Sequence, residues 1–279
     1  MQLGQVRVHL LGDGGFALDG GAMFGVVPRT VWERAHPADE RNRIALALNV
    51  VLIETAGRRV LVDTGMGERW GEKERALYRL DRSSTLLGAL RARGLGPEDI
   101  DLVVNTHLHF DHAGGNTREE EGRVVPTFPR ARYVVQLGEW EDATHPHERN
   151  RASYREADFV PLAEARRLET VQGEVEVAPG VRVVPVGGHT AYHQMVVVES
   201  EGQTLVVPTD LLPMVSHLSL PWLMSYDLFP VGTLEAKRRL LAQAADQRWR
   251  ILFYHDPTTP VATVKREGPR YVVDQAIEP

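Results

Sequence analysis

The chain has no cysteine among its 279 residues. That absence excludes disulfides, thiolate metal ligands, iron–sulfur clusters and cysteine nucleophiles together, so any metal must rest on imidazole and carboxylate. Lysine is scarce as well: Lys73, Lys237 and Lys265 are the only three, and arginine carries the rest of the positive charge. The net charge of -6 gives no global attraction to a phosphate backbone, although a local patch such as Arg149, Arg151 and Arg155 is compatible with it. Nucleic acid is therefore not an expected partner. No apolar run approaches the roughly 18 residues that a membrane span needs. Positions 1–10 hold no basic segment leading into a long apolar stretch, so no membrane or secretory role is expected and the default location is cytoplasmic.

What is present describes an ordinary soluble globular protein, with 43% hydrophobic and 25% charged residues. The length suits one domain, residues 1–279, built around a shared core. Positions 6–11 read as a short strand, with Asp13-Gly14-Gly15 and Asp19-Gly20-Gly21 punctuating a loop. Positions 44–55 and 60–62 read as a hairpin ending at Asp63-Thr64-Gly65. Ser83-Ser84-Thr85 caps a helix carrying Leu86, Leu87 and Leu90, and strands follow at 102–105 and 132–136. Helices are expected at 137–143 and 150–158. Strands at 174–177, 181–186, 194–199, 203–207 and 250–254 accompany a helix at 233–245. Strands in the middle with helices outside argue for an α/β sandwich of four layers, αββα, with mixed sheets.

The most informative stretch is Thr106-His107-Leu108-His109-Phe110-Asp111-His112-Ala113-Gly114-Gly115. His107 and His109 are two apart, so in an extended segment their side chains point to the same side and can share one metal. Asp111 and His112 fall where the chain turns, and the Gly114-Gly115 pair lets the backbone bend tightly, so those two can serve a second ion. One such cluster gives each ion too few ligands. Three further donors, His189, Asp210 and His255, each follow an apolar strand, where a rigid sheet positions a side chain. Imidazole and carboxylate suit zinc, iron, manganese, cobalt or nickel, and zinc is the expectation on abundance alone. His193 reads as a hydrogen-bonded structural histidine, and His9, His36, His145, His147 and His217 lack strand-end context.

The pattern H-x-H-x-D-H followed by His, Asp and His resembles that of the metallo-β-lactamase superfamily of hydrolases, over essentially the whole chain. Leu61-Val62-Asp63-Thr64-Gly65 and Gly188-His189-Thr190 match it too. The resemblance implies one metal on His107, His109 and His189, another on Asp111, His112 and His255, and a bridging Asp210. Asp63 would stand behind them, orienting a ligand imidazole through its other ring nitrogen. Two ions about 3.5 to 4 Å apart can generate a bridging hydroxide near neutral pH, which is the nucleophile. Asp111 would steer that hydroxide or pass on its proton.

Two apolar segments, 18–28 and 218–229, are candidates for a substrate pocket, with Met23, Phe24, Trp222 and Tyr226 foremost; core packing or a homodimer contact is the alternative use of either. Asp19-Gly20-Gly21-Ala22-Met23-Phe24 and His255-Asp256 most resemble the lactonase and organophosphate-hydrolase branch. Lactonases of that kind carry a tyrosine three residues after the bridging aspartate, whereas this chain has Pro213, leaving Tyr192, Tyr226 or Tyr254 to substitute. The ligand cysteine common among β-lactamases is missing, as are the basic clamp of a glutathione-thioester hydrolase and the RNA-binding segments of ribonuclease members. The resulting expectation is a binuclear metal-dependent hydrolase that cleaves a small hydrophobic ester or lactone. A phosphotriester or phosphodiester is the alternative substrate. From other classes stand a di-iron redox protein, which would add a flavin domain, and a metal-free binding module, which would have lost ligands.

Overall fold

The computed structural model describes residues 1–278. Two seven-stranded mixed sheets face each other with helices on their outer faces, giving the four-layer αββα sandwich. The period-two alternation of the strands explains the layering. In Gln194–Ser200 and Gln203–Val207, Val196, Val198, Leu205 and Val207 join the core shared by both sheets. Val197 and Val206, on the opposite face, instead pack with Leu240 and Leu241 of the helix Pro230–Gln247. A strand buried on both faces reads as a continuous apolar run, which is how these residues appear in sequence.

In the first sheet, Arg43–Thr55 and Arg58–Val62 form the expected hairpin. Its two-residue turn has Ala56 at φ 46 and Gly57 at φ 75, the left-handed pair that matches strand twist. The next partners, Leu102–Val104, Arg132–Gln136 and Leu168–Val171, run parallel to Arg58–Val62. In the second sheet Gln203–Val207 and Arg250–Leu252 are parallel. Parallel strands send their carboxyl ends to one edge, where ligands bind in open α/β sheets.

Several expectations are corrected. The first long strand is Val6–Asp19, not 6–11: Asp13-Gly14 is absorbed as a register shift in its pairing with Arg43–Thr55 rather than ending it. Asp13 is fully occupied there, accepting from the Met66 and Leu86 amides and pairing with Arg82. The glycine-rich segment expected to be irregular contains a short helix, Gly20–Phe24, because Asp19 caps it by accepting from the Ala22 amide at 2.8 Å. The helix expected at 150–158 lies instead at Glu156–Glu164, running through Pro161. Proline cannot donate to the Ala157 carbonyl; the Thr117 hydroxyl (2.8 Å) and the Arg69 guanidinium (3.0 Å) do so in its place. A small separate hairpin pairs Thr117–Glu120 with Arg123–Pro126, and Val261–Glu267 with Arg270–Ala276 form the last antiparallel pair of the second sheet. Among the described residues no helix is long and apolar enough to cross a membrane.

Candidate metal centre

The fold delivers all seven donors to the same edge. His107 leaves the strand Leu102–Val104, and His109 precedes the one-turn helix Phe110–Ala113, on which Asp111 and His112 lie. His189 follows Val181–Pro185 and the glycine turn, Asp210 sits in the turn Thr209–Leu211, and His255 follows Arg250–Leu252. The Gly114-Gly115 pair acts differently from expectation. Neither has a positive φ; they allow close approach, since a Cβ on Gly114 would lie 2.3 Å from the Met66 carbonyl and one on Gly115 2.3 Å from that of Thr64. The loop carrying Asp63 thereby packs directly on the loop carrying His112.

The donors fall into two sets, His107, His109, His189 and Asp210 in one and Asp111, His112 and His255 in the other, with the donor atoms of each within 4.8 Å of one another. Asp210 spans both. Its Oδ2 is 3.0 Å from His189 Nε2 and 3.8 Å from His107 Nε2, and its Oδ1 is 3.3 Å from His112 Nε2 and 3.2 Å from His255 Nε2. Asp111 Oδ2 lies 3.5 Å from His255 Nε2 and 3.7 Å from His112 Nε2.

Behind this front the imidazoles of His112, His255 and His189 are fixed through their other nitrogen, which sets ring orientation. Asp63 Oδ2 faces His112 Nδ1 at 2.8 Å, while Asp63 also accepts from the Thr106 amide and hydroxyl. His255 Nδ1 meets the Ala47 carbonyl at 2.9 Å. His189 Nδ1 meets Asp227 Oδ1 at 3.0 Å, a partner that sequence reasoning missed although Asp227 is the one acid in an otherwise neutral segment, 218–229. Asp227→Asn keeps the shape but removes the charge, and is expected to weaken metal binding by about ten-fold or more. Competition against a chelator of known affinity measures this, and unchanged affinity would show that Asp227 merely packs.

Glu139 was missed too. Fully buried on the helix Leu137–Thr144, it accepts from the Leu108 amide (3.1 Å), the Tyr154 hydroxyl (2.9 Å) and the Thr190 hydroxyl. One carboxylate thus ties the His107–His109 segment to the residue after His189. His193, buried and held by the Thr209 hydroxyl at 2.9 Å, has its pKa pushed down to about 3 by burial and the neighbouring His189, leaving it neutral.

The electrostatics of the cluster are those of cations competing with protons. Burial and neighbouring imidazoles hold His107 and His109 well below the ordinary histidine value, leaving neutral donors. Burial opposes charge on His112 and His189, yet the carboxylates outweigh it: Asp210, Asp111 and Asp63 lift His112 well above the usual range. Asp210 and Asp227 push His189 up to about 10. Burial would raise Asp210, but His112, His189 and His255 hold it well below the usual carboxylate range. A metal must displace the two imidazolium protons, so its affinity falls as pH falls.

The residues present fit such ions. His107 Nε2, His112 Nε2 and Asp210 Oδ1 are buried without a hydrogen-bond partner. Each such atom costs about 1–3 kcal/mol, and coordination to a cation between the sets would offset that. The thiolate-free donor set suits zinc and its first-row neighbours.

A cavity of ≈ 180 Å³ opens over the donors, lined by His109, Asp111, His189, Asp210 and His255 below and by Leu18, Met23, Phe110 and Met224 at the sides. Of the four residues expected to form the pocket, Met23 and Tyr226 line it. Phe24 and Trp222 do not: Phe24 is fully buried, with the Trp222 ring edge-on at 5.3 Å, in a cluster with Trp32, His36 and His217. Of the three tyrosines considered, Tyr254 is buried, stacked against the His112 ring at 4.6 Å, and Tyr192 is exposed away from the cavity.

Comparison with known proteins agrees with this geometry. A family model described as the metallo-beta-lactamase superfamily matches residues 44–255. An N-acyl homoserine lactonase from a Bacillus species is 32% identical over 160 residues, 54% of this chain and 57% of that protein, so the match spans little more than half of this curated relative. The crystal structure of a probable metal-dependent hydrolase from Staphylococcus aureus superposes over the whole of both chains with a TM-score of 0.90 and 31% identity. A dizinc quorum-quenching lactonase, solved in complex with a product, shares the fold at a TM-score of 0.82 and 21% identity, covering 100% of this chain and 97% of that one.

Proposed function

The chain belongs to the metallo-beta-lactamase superfamily, and from that premise we propose that it is a binuclear metal-dependent hydrolase, one domain over residues 1–279, cleaving a small hydrophobic ester or lactone. The observation that carries this reading is Asp210, whose two oxygens divide between two sets of imidazoles at the floor of an apolar cavity. His107, His109 and His189 would hold one divalent ion and Asp111, His112 and His255 the other, with Asp210 shared. When bound, the pair would supply an acidified water for attack near neutral pH and Lewis-acid polarisation of the acyl oxygen.

The chain's own residues do the rest. Leu18, Met23, Phe110 and Met224 exclude water and take an apolar acyl or aryl group. Asp111, whose side chain is 10% exposed at the cavity floor, accepts the proton of the attacking water and returns it to the leaving oxygen. Tyr226 takes the part expected of the tyrosine that Pro213 replaces. It lines the cavity, and burial together with the neighbouring Asp19 and Asp111 raises its pKa above the usual phenol value, keeping the proton available for donation to the substrate carbonyl. Tyr226→Phe is expected to lower kcat by about 10²-fold, the scale of losing one oxyanion donor, with metal content unchanged. Steady-state kinetics alongside metal analysis decides it; an unaltered kcat removes Tyr226 from the chemistry.

The reading itself is tested with a panel of aryl esters, γ-lactones, phosphotriesters, thioesters and β-lactams, assayed with zinc, manganese, cobalt and nickel protein. Ester or lactone turnover abolished by a chelator and restored by metal supports it. Turnover confined to phosphotriesters, or a rate indifferent to the chelator, contradicts it.

A further inference from the structure

The space above the donors has a second lobe. It measures ≈ 190 Å³ and shares His109, Ser153 and Tyr226 with the apolar lobe, but its remaining wall is different: Arg149, Asn150, Ser225 and Leu228. Where the first lobe offers methionine, leucine and phenylalanine side chains, this one offers a guanidinium, an amide and hydroxyls.

The guanidinium is anchored yet not neutralised. Arg149 donates through Nη2 to the carbonyls of Ser225 (2.7 Å) and Asp227 (3.3 Å), which fixes the head group at the rim, and among the described residues no ion pair joins it to a carboxylate. Beside it Asn150 is 4% exposed, and its side-chain Oδ1 has no hydrogen-bond partner among the described residues. Arg149 is exposed and hydrated, so it is stable unpaired, yet it presents an unneutralised guanidinium to the recess, and the planar fork of arginine matches a carboxylate best. The Asn150 Oδ1 can only accept, so a carboxylate would be met by the amide nitrogen of that side chain.

We propose that the second lobe binds a carboxylate carried by the substrate, so that the preferred substrate is a half-ester or carboxyl-bearing lactone. Its apolar group occupies the Met23–Met224 side, its scissile carbonyl sits over Asp210, and its carboxylate pairs with Arg149 and accepts from the Asn150 amide nitrogen or the Ser153 hydroxyl. This rests on the ester-hydrolase reading and adds a charge requirement to it. Arg149 is then the specificity-determining residue. Its bonds to the segment carrying Tyr226 and Asp227 make it a positioning residue as well, and the experiment separates the two roles.

The probe is a matched pair, the mono-4-nitrophenyl ester of glutaric acid and the same ester with its free acid capped as methyl ester. Metal-loaded protein is expected to favour the free acid by about ten-fold or more in kcat/KM, chiefly through KM, and this preference should shrink as salt rises from about 0.05 M to about 0.5 M. Arg149→Met is expected to lower the ratio of the two kcat/KM values by about ten-fold, and Arg149→Lys to restore part of it. A wild-type ratio near one overturns the proposal. So does an Arg149→Met variant that slows both esters in equal proportion, which would leave the arginine only a structural clamp. If neither ester is cleaved, the hydrolase reading fails separately. Calorimetric titration with N-hexyl glutaramate, whose amide replaces the ester, then reads the recess alone: binding weakened by Arg149→Met upholds the carboxylate site, and equal binding rejects it.

Discussion

Asp210→Ala is expected to reduce metal content from two ions per chain to one or none, and to lower kcat/KM for the best ester by about 10³-fold or more. The reason is geometric. Each of the other donors faces one set, whereas Asp210 presents Oδ2 to His107 and His189 and Oδ1 to His112 and His255. If two ions are held as proposed, its loss would remove a ligand from both and the negative charge between them. The fold should persist, because Asp210 occupies a short turn at the sheet edge and not the shared core. Asp210→Asn separates charge from shape: it keeps the side-chain volume and should still lose most of the activity. Circular dichroism confirms folding, and metal analysis with steady-state kinetics gives the result. Two ions retained at full rate would mean that Asp210 does not bridge.

Glu139→Ala is expected to act on stability and on metal binding together. Removing the carboxylate strands the Leu108 amide and the Tyr154 and Thr190 hydroxyls in a fully buried place, where each unsatisfied group costs about 1–3 kcal/mol. Relaxation will recover part of that, so a loss of about 2–4 kcal/mol is expected, read as a drop in thermal midpoint of several degrees. The same change frees the His107–His109 segment from the loop of His189, so affinity should fall more at the ion proposed for that set than at the one proposed for Asp111, His112 and His255. Glu139→Gln, which keeps an acceptor for the Leu108 amide and lets both hydroxyls reorient, should recover much of the stability. Calorimetry and two-site metal titration on the three proteins separate the effects. A Glu139→Ala protein as stable as its parent, with both sites unaltered, would show that the buried tie contributes nothing.

How much of this was legible in the chain follows from where each signal lies. His107, His109, Asp111 and His112 lie within six residues, and His189, Asp210 and His255 each terminate an apolar run, so a linear reading singles out the seven side chains that the fold brings together. Asp63 stands out through the family resemblance of Leu61-Val62-Asp63-Thr64-Gly65, and the fold places it against His112. Asp227 and Glu139 have no such marker. Each becomes meaningful only when the chain has brought Asp227 to His189 and Glu139 between Leu108 and Thr190, contacts 38 and 31 to 51 residues apart. The pocket wall was half legible for a related reason. Met23 and Phe24 are adjacent on a helix too short for a periodic pattern, so one turns to the cavity and the other to the aromatic cluster, a difference of rotation that sequence alone does not express. The helix Gly20–Phe24 itself runs against glycine's low propensity; the Asp19 cap and the burial of Met23 and Phe24 override it. Likewise Pro161 stands inside a helix because Thr117 and Arg69, from distant segments, satisfy the carbonyl that it leaves free.

Seven side chains spread from position 107 to position 255 are proposed here to act as one container for two cations. Elemental analysis by inductively coupled plasma mass spectrometry, on protein equilibrated with zinc and freed of excess by gel filtration, tests it most directly. Two ions per chain are expected for the parent protein, lost together with activity as pH is lowered and protons return to His112 and His189. A content of one ion or none at neutral pH, in folded protein with all seven donors intact, would contradict it.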